Sequence, residues 1–127
     1  MNRRYDHALN GFREVETNEA YRVLAPYYIA DIYLIKGDNR QAKNLADTWL
    51  ASYEGQEHAS EMHRISGEAA YGLNDYTGAV KQLEQYRQST ENRDRKAMYK
   101  LGMSYYNMGV YSQAVLVWAR LRDPRML

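Results

Sequence analysis

Four alanines, Ala8, Ala42, Ala79 and Ala114, recur at intervals of 34, 37 and 35 residues, and their surroundings recur with them. The last two copies align without a gap: Gly102 falls on Gly67, Tyr106 on Tyr71, Gly109 on Asn74, Tyr111 on Tyr76 and Val115 on Val80. One copy earlier, Ala30, Gly37 and Ala42 take the places of Gly67, Asn74 and Ala79. A period of this length holds two short helices and a turn. Over residues 98–121, Leu101, Gly102 and Tyr105 share one helical face, and Tyr111, Ala114, Trp118 and Leu121 share a face of the next, at the three- and four-residue steps of amphipathic helices. Small residues, Gly102 and Ala114, fall where paired helices must cross closely. The chain is expected to be all-α, a stack of helix hairpins.

Local chemistry agrees with those boundaries. Gly37, Asn74 and Gly109 are residue types that tolerate the left-handed conformation ending a helix, and Asp38 and Asp75 can cap the helix that follows. Asn92 or Asp94 can cap the next one. Pro26 falls in the first turn of its helix, where a missing N–H costs nothing. The chain is poor in Val and Ile, which argues against a sheet.

The pattern resembles the tetratricopeptide repeat (TPR). The small first-helix position is Ala30, Gly67 and Gly102, and the second-helix alanine is Ala8, Ala42, Ala79 and Ala114. The resemblance implies a right-handed α-solenoid of antiparallel helix pairs, with repeats over 23–56, 60–93 and 95–127 and a lone second helix over 1–16. Two departures fall in the first full repeat: Asn39 replaces the tyrosine of Tyr5, Tyr76 and Tyr111, and Ala46 replaces the bulk of Phe12, Leu83 and Trp118. Trp49, one turn on, is expected to refill that volume. Residues 54–60 carry the extra length of the 37-residue interval. Both ends have a repeat-internal pattern without a polar cap. That implies a segment of a longer array and self-association through Tyr5, Phe12 or the Trp118 helix. Tyrosine-rich phrases such as residues 25–33 are similar to long bacterial envelope proteins built of many such repeats, which implies a periplasm-facing scaffold.

In the family, first helices line a concave face that holds peptides. Transferred by position, the partner-binding candidates are Tyr27, Asp31 and Leu34 in the first full repeat, Arg64, Glu68 and Tyr71 in the second, and Tyr99, Met103 and Tyr106 in the third. Glu61, Lys96, Ile35 and Gly72 fall at further groove positions. Members that clamp a terminal carboxylate present Lys and Asn where this chain has Tyr27 and Asp31, then Arg64 and Glu68, which argues against such a clamp. Tyrosines would offer rigid amphipathic contact area, and Asp31 and Glu68 would favour a cation on the partner. Asp31 could equally pair with a neighbouring repeat. Thirteen tyrosines stand against one phenylalanine, so tyrosine also serves here as the ordinary large packing residue.

The function implied is a protein-interaction scaffold without catalysis, with an architectural spacer as the alternative. No cofactor, metal or catalytic set is expected. His58 and His63 are five residues apart, about 140° around a helix, so they do not share the face a zinc pair needs. There is no cysteine, no phosphate loop and no nucleophile elbow. Seventeen basic and sixteen acidic residues give a net charge of +1, with no basic field for nucleic acid. No apolar run reaches membrane-spanning length. The partner expected is therefore a protein or peptide.

Overall fold

A computed structural model describes residue 22 and residues 24–121. Among the described residues six helices follow one another: α1 (Leu24–Lys36), α2 (Asn39–Tyr53), α3 (Ala59–Gly72), α4 (Tyr76–Ser89), α5 (Arg95–Asn107) and α6 (Tyr111–Leu121). The helix expected over 1–16, with Tyr5, Ala8 and Phe12, lies outside the described residues, as does the stretch beyond Leu121.

The three hairpin turns are built alike. Gly37, Asn74 and Gly109 have φ of 86°, 62° and 80°. The N–H of the next residue returns to a carbonyl five residues back: Asp38 to Tyr33 at 2.9 Å, Asp75 to Ala70 at 2.8 Å and Val110 to Tyr105 at 2.9 Å. These bonds close the helix end and satisfy carbonyls that would otherwise be orphaned. Asp38 and Asp75 then cap the second helices, accepting from Gln41 N (3.4 Å) and Gly78 N (3.0 Å). Of the two residues that could cap α5, Asp94 does so, accepting from Ala97 N at 3.0 Å. The link from α2 to α3 bends through Gly55 (φ 84°) and His58 (φ 74°), where the extra residues fall.

Helix crossing follows a volume rule. A Cβ added to Gly67 would sit 2.6 Å from Leu83 Cγ, and one added to Gly102 would sit 2.1 Å from Trp118 Nε1. Where the second helix has only Ala46, the first helix has Ala30, and both are fully buried in the same apolar cluster. Trp49 joins that cluster at 3% exposure, filling the volume that Ala46 leaves. Ala42, Ala79 and Ala114 are all buried.

Each helix packs on its sequence neighbours, and α3 also packs directly on α1 and on α5. The second helices of successive hairpins barely meet. The stack therefore curves toward its first helices, which makes their outer side the inner face of the bend. Between α4 and α5 the Tyr105 hydroxyl donates to Glu84, which also pairs with Arg87 of its own helix at 2.7 Å.

The crossing and the Glu84–Tyr105 contact each set the cost of a substitution. Gly67→Ala destabilises the chain by about 1–3 kcal/mol, because overpacking outweighs the roughly 1 kcal/mol of helix propensity that alanine adds. In urea melts, Gly67→Ala/Leu83→Ala costs less than its single variants summed, since it recreates the Ala30/Ala46 pairing; additive costs would show that no volume is shared. Burial, with the hydrogen bond and charge of Glu84, pushes the Tyr105 phenol up to about 12 from 10.0. The folded state thus holds this proton longer than the unfolded chain does. Its contribution is whole below pH 10 and lost as pH rises toward 12. Tyr105→Phe makes the alkaline fall of the urea midpoint shallower over that window.

Candidate functional site

The inner face carries a groove of about 1140 Å³. Asp31, Leu34 and Ile35 come from α1, Glu61, Arg64, Glu68 and Tyr71 from α3, and Lys96 and Lys100 from α5, because first helices present every third or fourth residue to the same side. The connector Asn92–Arg93–Asp94, with Arg95, forms a lip, and Tyr86 reaches in from α4.

Glu68 is the centre of its floor. It is 3% exposed, and its two carboxylate oxygens accept from Arg64 (2.6 Å) and Lys100 (2.8 Å). Arg64 also reaches Glu61 at 2.7 Å and Asp31 at 3.3 Å. Burial opposes the Arg64 charge, but hydrogen bonds and fields from Glu61 and Glu68 outweigh it and hold the guanidinium pKa above its ordinary value. One network thus ties α1, α3 and α5. Lys100 also stands 5.9 Å from the centre of the Tyr71 ring.

The candidates from sequence divide into two groups. Asp31, Leu34, Arg64, Glu68 and Tyr71 line the groove together. Tyr27 lies beside it at the α1–α3 junction, its ring 5.7 Å from His58, its phenol pushed up first by burial and then by Glu61 and Asp31. Tyr99 and Tyr106 belong to a separate aromatic group around Trp118, at 6.3 and 6.1 Å, with Tyr111 5.2 Å from Tyr106. Met103 lies outside the groove lining. The acids are occupied by the chain's own cations, so Glu68 is not presented to a partner as a free charge.

Positional transfer missed Lys100, Tyr86 and the 92–95 lip. The basic spelling of residues 93–96 was the available signal for the lip, whereas Tyr86, from a second helix, had none. His63, the buried member of the histidine pair, contacts Gln82 Oε1 (2.6 Å) and Glu54 Oε1 (2.9 Å), away from this groove. Among the described residues no group of three or more His, Cys, Asp or Glu could hold a metal ion, and no helix is long and apolar enough to cross a membrane.

Residues 96–123 match the family model of the tetratricopeptide repeat. The fold matches a solved structure described as the crystal structure of MamA, with a TM-score of 0.78 over 92% of this chain at 19% identity. This is a tetratricopeptide-like helical-repeat fold. The match spans 66% of the MamA chain, and no curated protein matches this sequence. TPR arrays are in general protein-interaction scaffolds, and the matched hairpin of this chain supplies Lys96 and Lys100 to the groove.

The floor gives a further prediction. Glu68→Ala leaves Arg64 and Lys100 without their shared counter-charge and costs about 3 kcal/mol in urea unfolding. Ile35→Ala, at a groove residue 56% exposed, costs under about 0.5 kcal/mol. Equal costs would mean that the network contributes nothing to stability.

Proposed function

We propose that this TPR solenoid binds a segment of a partner protein in the inner groove, with Tyr71, Leu34, Ile35 and Arg64 as its contact surface. The observation carrying this reading is that three hairpins contribute to one groove whose floor is fixed by the Arg64–Glu68–Lys100 network. A preorganised floor lowers the ordering cost of binding. Tyr71 and Ile35 provide apolar area beside those charges, the combination from which interface hot spots are built. Tyr99 and Tyr106 extend the contact surface only for a partner long enough to reach the Trp118 group.

The test is affinity capture from the source cell with the wild-type chain and with Tyr71→Ala/Ile35→Ala. The variant keeps its helical circular dichroism and loses about tenfold or more of the captured partner, as expected when about 1.4 kcal/mol or more of contact energy is removed. Equal capture by both, or no capture, favours a spacer whose surfaces serve only its own array.

A further inference from the structure

The groove's charges, once internal pairs are set aside, are separated in space. On the α1–α3 side, three carboxylates, Asp31, Glu61 and Glu68, share two cations, Arg64 and Lys100, which leaves one negative charge in excess among the described residues. At the α5 lip the balance is reversed. Arg93 and Arg95 each donate to a neutral backbone carbonyl, of Arg87 (2.9 Å) and Leu121 (2.7 Å), and neither has an ion-pair partner among the described residues. Lys96 is exposed and has no ion-pair partner among the described residues. The one carboxylate of the lip, Asp94, caps α5 through a neutral N–H and keeps its charge, so three cations against one anion leave the lip net positive.

Between the poles stands Tyr86, 1% exposed, its oxygen accepting the Asp94 N–H at 2.7 Å. Its own O–H meets no acceptor among the described residues, so a buried donor faces the groove. Burial pushes this phenol up, and it stays protonated at neutral pH.

We infer that the groove selects an extended peptide whose charges are segregated, its basic end over Asp31 and Glu61 and its acidic end over Arg93, Arg95 and Lys96, with Tyr86 donating between them. The inference rests on the groove reading above and adds the chemistry of the occupant. An amphipathic helix fits less well, because Leu34, Ile35 and Tyr71 are too few and too interrupted by charge to form an apolar trough. From α1 to α5 is two helix spacings, about 16–20 Å. An extended strand at about 3.3 Å per residue covers that in roughly five to six residues.

The test uses fluorescein-labelled peptides of about ten residues. Two have a lysine block and a glutamate block in either chain direction; one has the same composition alternating; one is lysine-rich and one glutamate-rich. Fluorescence anisotropy is expected to show at least one block peptide binding about tenfold tighter than the other three kinds, with the advantage falling as salt rises. Lys96→Glu removes that advantage and leaves helical content unchanged. Block and alternating peptides binding alike, or the glutamate-rich peptide binding as well as the block ones, overturns the inference. So does no binding at all. If capture of the cellular partner still depends on Tyr71 and Ile35, only the charge chemistry falls; if that dependence is also absent, the groove reading falls with it.

Discussion

Everything in this chain depends on how closely two helices of a hairpin can approach. At Gly67 and Gly102 the first helix has no side chain where Leu83 and Trp118 stand, and Ala30 is matched by the small Ala46. The first-helix member is always Gly or Ala, and where its partner is large, Leu83 or Trp118, it is Gly. Protein interiors pack too tightly to absorb a methyl group without movement, so this constraint fixes the crossing. Once it is fixed, every first helix presents the same face outward, and a groove across three hairpins results without any residue chosen for the groove itself.

The second constraint acts between hairpins. Glu68 is buried on α3 but meets a cation from its own helix and one from α5, while Arg64 reaches back to α1. A buried charge set of this kind gains little net stability over apolar packing, because desolvation offsets most of the attraction. What it supplies is register. An apolar contact tolerates sliding, whereas Arg64 and Lys100 must meet particular oxygens, so the relative placement of α1, α3 and α5 becomes specific. The curvature and the groove floor thus share one cause.

The repeat and its turns were legible because they rest on local chemistry. Left-handed residues at 37, 74 and 109 and carboxylate caps at 38 and 75 act within a few residues of themselves. The exchange of Ala46 bulk for Trp49 was also readable, since one helical turn brings the two to the same face. The site was only partly legible. Register placed Asp31, Leu34, Arg64, Glu68 and Tyr71 on the groove side, but it could not tell that Tyr99 and Tyr106 would turn to Trp118. Nor could it show that Glu68 would be neutralised, since Lys100 lies 32 residues away and the pairing depends on helix spacing. Tyr86 enters from a second helix, outside any first-helix pattern.

Internal neutralisation does not make the groove inert; it changes what the groove can discriminate. A free carboxylate would attract any cation and be screened alike for all of them. A paired floor offers its residual field only to a ligand whose charges match in position, because a misplaced charge must compete with Arg64 or Lys100 for oxygens they already hold. Polar complementarity of this kind contributes more to specificity than to affinity. On the proposed groove reading, affinity would then come from the apolar area of Tyr71, Leu34 and Ile35. The two roles therefore fall to different side chains. A repeat fold can keep its packing code and its network while the lip and the exposed apolar residues vary with the partner.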